Sequence, residues 1–176
     1  MQMSNIVLIG FMGSGKTSVA QSLSKLFKLP WVEMDHLVYQ KTNTQNMHEV
    51  FAKGGELLLR ETEIAIVKEY APKKGLVFST GGGVVLNKII LDYFKAAGAR
   101  VIFLDTSFET ITMRLAGDAS RPLFQNVLQA KQMYDFRIPL YRQYADVVVD
   151  ANRGTPDEIA AKISLYPFRL NGTQEA

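Results

Sequence analysis

At 176 residues the chain is long enough for one domain with a proper core and too short for two ordinary domains plus a linker, so a single domain over 1–176 is expected. Hydrophobic residues make up 47% and charged residues 21%, a soluble globular balance that argues against extensive disorder. The formal charge is only +3 with Lys and Arg scattered, which argues against a nucleic-acid partner, and the lack of cysteine excludes disulfides and thiolate metal sites.

Met1 to Gly10 shows neither a basic n-region nor a small-residue cleavage site, and no apolar run approaches the roughly 18 residues of a membrane span. A cytoplasmic protein with no membrane partner, and a monomer, is expected. Short apolar runs bounded by turn signals predict buried strands at Asn5 to Ile9, Trp31 to Met34, Leu76 to Ser79, Val101 to Leu104 and Val147 to Val149. Helical spacing recurs at Thr17 to Phe27, Glu56 to Tyr70 and Pro156 to Ile163. Strand and helix alternate, which predicts a doubly wound α/β fold: a parallel sheet with helices on both faces, joined by right-handed crossovers. Ala116 to Gln129, with Gly117, Asp118, Ser120 and Pro122, reads as a long loop suited to a lid. Leu165 to Ala176 has little periodicity and reads as a frayed tail.

The first strand runs directly into Gly10-Phe11-Met12-Gly13-Ser14-Gly15-Lys16-Thr17, the pattern G-x-x-x-x-G-K-[ST], and an amphipathic helix follows. Strand, glycine-rich loop and helix together are the context in which this pattern binds nucleotide phosphates. Glycines let successive N–H groups turn inward onto phosphate oxygens, and the helix N-terminus adds partial positive charge. Gly13, Ser14, Gly15, Lys16, Thr17 and Ser18 are therefore the candidate nucleotide contacts. Lys16 supplies a point charge for the β and γ phosphates, and the Thr17 hydroxyl is a candidate Mg²⁺ ligand. In so small a chain the loop fits a small-molecule kinase better than a motor, since such a kinase needs only a donor site, an acceptor site and a lid.

Ligands of open α/β sheets bind at the carboxyl ends of the strands. There the sequence places Glu33 and Asp35, and strand alternation would set both carboxylates on one face with Met34 on the other. The third strand leads into Gly81-Gly82-Gly83, where missing side chains would admit a substrate to the backbone. Arg60 follows Gly54-Gly55-Glu56, Arg121 precedes Pro122 in the presumed lid, and Arg137 opens Arg-Ile-Pro-Leu-Tyr. Spacing alone also allows plainer roles: a helix cap or solvated carboxylate for Asp35, an ion pair with Glu56 or Glu63 for Arg60, and a surface cation for Arg137. His36 and His48 have no zinc-site spacing.

From Asn5 to Ile163 the chain resembles shikimate kinase: the phosphate loop, Glu-x-Asp at the second strand end, Phe51 to Arg60, Thr80-Gly-Gly-Gly, Ser120-Arg-Pro-Leu, Arg137-Ile-Pro-Leu-Tyr and Asn152-Arg153 occur in the family's order. The resemblance implies a five-stranded parallel sheet of the nucleoside-monophosphate-kinase type, with ATP and Mg²⁺ used to phosphorylate the 3-hydroxyl of shikimate in aromatic amino acid biosynthesis. It implies that Asp35 binds the ring hydroxyls and accepts the proton, that Arg60 and Arg137 hold the carboxylate, and that Gly81, Gly82 and Gly83 line the acceptor site. It further implies that Arg121 reaches the transferring phosphate and that Arg114 and Arg153 lie beside the adenine. The family usually has Asp where Glu33 stands, at a position that contacts magnesium through water. The residues read without the resemblance leave open a kinase for another hydroxy acid such as gluconate, or a catalytically silent nucleotide-binding module.

Overall fold

All five predicted apolar runs become strands of one sheet. The structure, a computed structural model, describes residues 2–116, 126–167 and 170–171. In chain order the strands are β1 (Gln2–Met3), β2 (Ile6–Ile9), β3 (Trp31–Glu33), β4 (Val77–Ser79), β5 (Arg100–Asp105), β6 (Val147–Asp150) and β7 (Leu170–Asn171). The helices are α1 (Lys16–Phe27), α2 (Met34–Thr42), α3 (Met47–Tyr70), α4 (Lys88–Ala96), α5 (Phe108–Leu115), α6 (Val127–Tyr144) and α7 (Pro156–Ser164). The central sheet has five strands in the order β3-β4-β2-β5-β6, and each neighbouring pair is parallel.

The sheet separates two cores, and residue alternation along each strand decides which side chain enters which. Val7, Ile9, Phe78, Val101 and Phe103 pack with Ile66 and Val67 of α3, Phe94 of α4 and Tyr141 of α6. Ile6, Leu8, Val77, Ile102 and Leu104 pack on the other face with Val19 and Leu23 of α1 and Ile159 and Ile163 of α7. Strands buried on both faces need apolar residues at every position, which is why they read as continuous apolar runs. Each fully buried side chain of this kind stabilises the fold by roughly 1.5–3 kcal/mol.

Local sequence chemistry starts several helices. Asn46 caps α3 by accepting from Glu49 N at 3.0 Å, and Ser107 caps α5 by accepting from Thr110 N at 3.2 Å. Thr155 and Glu158 form a reciprocal capping box at α7, with Pro156 in its first turn. Helix α3 is broken at Gly55 (φ 65, ψ −159), so its second part begins where the spacing predicts, at Glu56. A left-handed φ of this kind is readily open only to glycine.

Four expectations are corrected. The second strand ends at Glu33 and not Met34, because Met34 already opens α2 with Glu33 as its extended N-cap (φ −93, ψ 115). Strand alternation therefore does not relate Glu33 to Asp35: Asp35 lies in the first turn of α2, where a carboxylate is favoured by the positive helix end. The presumed loop stops short of Gln129, because Asn126 accepts from Gln129 N at 3.0 Å and starts α6. In the tail, Leu170 and Asn171 form a short strand, paired antiparallel with Met3 and Gln2. The middle of the presumed lid, 117–125, with Arg121, lies outside the described residues, as do 168–169 and 172–176.

Candidate active site

The phosphate loop opens at the end of β2, with Gly10, Gly13 and Gly15 at φ 152, 77 and 91. Gly15 is the left-handed N-cap of α1, and Val19 N bonds its carbonyl at 2.9 Å. Gly13 takes a left-handed φ that favours glycine, and a Cβ there would stand 2.8 Å from Leu115 Cδ1 and push that side chain aside. Lys16, the first residue of α1, is buried and folds over the loop, its Nζ donating to Gly10 O at 2.8 Å and Phe11 O at 3.0 Å.

Beside the loop, the strand ends bring three oxygen side chains together. Glu33 and Ser79 are register partners at the ends of β3 and β4. Ser79 Oγ donates to Glu33 Oε1 at 3.0 Å and lies 3.3 Å from Thr17 Oγ1. Burial pushes the Glu33 carboxyl above its usual range; the Thr17 and Ser79 hydroxyls and Lys16 oppose this, while nearby Asp35 adds to it.

A cleft of about 610 Å³ joins this region to a second charged group. Its walls include Gly13, Gly15, Lys16, Thr17, Ser18, Glu33, Asp35, Arg60, Gly81, Gly82, Gly83 and Arg137, which the sequence nominates from five separate segments. Met12, Tyr39, Met47, Phe51 and Leu59 add apolar wall.

The ion pairs that spacing allows for Arg60 are present. Arg60 lines the cleft and is also held by two carboxylates, Nη1 to Glu63 Oε2 at 2.7 Å and Nη2 to Glu56 Oε1 at 3.1 Å. Glu63 is almost fully buried, and that burial pushes its carboxyl above the usual range although Arg60 pulls the other way. The glycine run makes this packing possible: a Cβ on Gly81 would stand 3.0 Å from Asp35 Oδ1, and one on Gly83 would stand 2.8 Å from Arg60 Nη2. The backbone of the run is fastened from both sides. Thr80 Oγ1 donates to Leu8 O at 2.8 Å, while the Gly82 carbonyl accepts from the buried Tyr141 hydroxyl and from Arg137 Nη1 at 3.4 Å. Arg137 Nε is buried with no acceptor among the described residues, and the guanidinium lies 5.9 Å from the Phe11 ring centre.

Not every nominated residue lines the cleft. Ser14 is buried beneath the loop. Arg114 ties that loop to the turn after β6, donating to Ala151 O at 2.7 Å, Asn152 O at 3.4 Å and Ser14 O at 3.5 Å. Arg153 is exposed beside it. Ser79 and Glu63 carry weight in the geometry without having been nominated. Ser79 had one available signal, its place at a strand's carboxyl end; Glu63 had its spacing from Arg60.

The family model for shikimate kinase matches residues 12–165. The chain belongs to the shikimate kinase family. A shikimate kinase from Thermodesulfovibrio yellowstonii is 40% identical over 173 residues, covering 96% of this chain and 98% of that one. The solved shikimate kinase from Acinetobacter baumannii, in complex with shikimate, superposes with a TM-score of 0.84 at 32% identity over 92% of this chain and 91% of that one. The Aquifex aeolicus shikimate kinase gives a TM-score of 0.80 at 31% identity, covering 92% and 94%. The five-stranded parallel sheet is thus the shikimate kinase fold, and the chain is a kinase of that family.

In this shikimate kinase family member the oxygens that could hold a cation beside the phosphate loop are hard ones: the hydroxyls of Thr17 and Ser79 and the carboxylate of Glu33. Among the described residues there is no group of three or more His, Cys, Asp and Glu arranged to hold a metal alone. That set fits Mg²⁺, which keeps several waters and takes few protein ligands when phosphates supply the rest. Among the described residues no helix is long and apolar enough to cross a membrane.

Proposed function

We propose that the chain transfers the γ-phosphoryl group of MgATP to the 3-hydroxyl of shikimate, giving shikimate 3-phosphate and ADP. One observation carries this reading: Asp35, Arg60 and Arg137 share a single cleft with the phosphate loop, so an anionic hydroxyl compound and a nucleotide phosphate have their binding groups within one space.

Phosphoryl transfer asks for positioning and charge neutralisation more than for covalent help. The inward N–H groups of Gly13 to Ser18 and the Lys16 ammonium hold the phosphates. Mg²⁺, held through Thr17 with Glu33 nearby, supplies neutralisation of phosphate charge when bound. Arg60 and Arg137 take the shikimate carboxylate, for which a planar guanidinium is better shaped than an ammonium. Glu56 and Glu63 fix the plane of Arg60. Asp35 receives the proton of the 3-hydroxyl as its oxygen bonds to phosphorus, while the bond from that phosphorus to the bridging oxygen of ADP breaks. Arg121 is assigned to the transferring phosphate, and Arg114 and Arg153 to the adenine side, on the family resemblance; the place of Arg114 against Ser14 is compatible with that assignment.

A coupled assay of ADP release with shikimate, gluconate and a nucleoside monophosphate as acceptors tests the proposal. Turnover with shikimate far above the other two is expected. Turnover with gluconate alone, or calorimetric binding of ATP with neither binding nor phosphorylation of shikimate, would overturn it.

A further inference from the structure

Arg137 and Tyr141 lie one turn apart on α6, so both side chains leave the same side of the helix, and both meet the Gly82 carbonyl. The tyrosine is the fixed partner. It is fully buried, its ring stacks on Phe103 of β5 with centres 5.2 Å and planes 18° apart, and its hydroxyl donates to Gly82 O. Arg137 is the loose partner, since Nη1 reaches the same oxygen only at 3.4 Å, beyond the usual range of such a bond. Gly82 in turn rests on the phosphate loop: a Cβ on it would stand 3.3 Å from Met12 N and 3.7 Å from Gly10 O. A carbonyl packed beside a fully buried ring is costly to leave without a donor. The tyrosine meets that demand with a neutral group, which leaves the guanidinium charge to the cleft that Arg137 also lines.

We infer that Tyr141 is a positioning residue for the acceptor: by satisfying the Gly82 carbonyl it keeps the Arg137 guanidinium available to the acceptor carboxylate. The inference rests on the proposed reading in which Arg137 takes the carboxylate of shikimate, and it assigns to Tyr141 no contact with substrate. Without the hydroxyl, Arg137 is the one donor left to that carbonyl among the described residues. To make a bond of ordinary length Nη1 would close by roughly half an ångström, turning the guanidinium from the cleft toward the backbone. Backbone carbonyl and acceptor carboxylate would then compete for the same N–H groups.

The test is calorimetric titration of shikimate into the protein·ADP complex, with steady-state kinetics, for the wild type, Tyr141→Phe, Arg137→Ala and the double variant. Phenylalanine keeps the ring on Phe103, and a thermal melt establishes that each variant is folded at the assay temperature. Tyr141→Phe should raise the Kd and KM for shikimate by about tenfold, the factor given by weakening one hydrogen bond to a charged group, with the KM for ATP unchanged. In the Arg137→Ala background it should weaken shikimate no further, because the two residues act through one contact. Equal weakening in both backgrounds would give Tyr141 a merely structural role, and an unchanged shikimate Kd in Tyr141→Phe would give it none; either result overturns the inference and leaves the kinase reading intact. An unchanged shikimate Kd in Arg137→Ala would instead remove the arginine from the acceptor site, and that assignment would fall together with the inference.

Discussion

Gly83 and Arg60 compete for one volume: a Cβ on the glycine would lie 2.8 Å from Arg60 Nη2 and 3.3 Å from Nη1. The guanidinium sits there because the glycine leaves the room, and two glutamates then fix it. Gly83 itself has φ −89 and ψ 0, a conformation alanine adopts without strain. Gly83→Ala should therefore fold normally and displace only the flexible tip of Arg60. The KM for shikimate is expected to rise by roughly 10-fold or more, the loss attached to a misplaced charge-assisted contact, with a small change in melting temperature. Steady-state kinetics and a thermal melt check both; an unchanged KM would show that Arg60 does not hold the acceptor.

Lys16 and Arg137 should fail differently. Lys16 lies on the phosphate loop, where charge develops during transfer, so Lys16→Ala is expected to lower kcat by on the order of 10²-fold or more. Arg137 stands across the cleft beside Gly82, so Arg137→Ala should mainly raise the KM for shikimate and spare the KM for ATP. Equal shikimate KM in the wild type and the Arg137 variant would remove it from the acceptor site.

Tyr141 is fully buried, and burial pushes its hydroxyl well above the ordinary tyrosine range, so it stays a neutral donor to the Gly82 carbonyl at any working pH. Among the described residues, Tyr141→Phe leaves that carbonyl with only the 3.4 Å contact from Arg137. A loss of about 1–2 kcal/mol is expected, read as a fall in melting temperature of roughly 2–8 °C. An unaltered melting temperature would show that the bond contributes nothing to the fold.

Glu63 gives up its proton less readily in the folded protein than its ordinary value of 4.5 implies, because it is buried. Its contribution is therefore fully favourable below that value, and stability is lost as pH rises from there through the raised folded value. Glutamine cannot ionise. Measured by melting temperature from pH 4 to pH 7, the stability of Glu63→Gln relative to wild type should improve as pH rises; a difference independent of pH would show that Arg60 fully offsets the burial.

The fold was legible because β2, β4 and β5 are buried on both faces and so carry apolar runs. The phosphate loop was legible because its chemistry lies in consecutive residues. Helices α2, α4, α5 and α6 were not read, and the start of α2 at Met34 turned Asp35 from a strand-end residue into a helical one. The carboxylate still reaches the cleft, but by a different geometry from the one alternation suggests. The glycine run was legible as a site and not in its function: Gly81 and Gly83 make room for Asp35 and Arg60 side chains.

By itself, then, the sequence determined the parallel α/β architecture, the phosphate loop and, through resemblance, the segments that meet in the cleft. Tertiary structure alone decided that Ser79 faces Glu33, that Glu63 is buried beneath Arg60 and that Tyr141 and Arg137 share the Gly82 carbonyl. The reason is that hydrophobic period and loop conformation are set by neighbours along the chain, whereas strand register, desolvation and hydrogen-bond partnership arise between residues tens of positions apart and exist only once the chain has closed on itself.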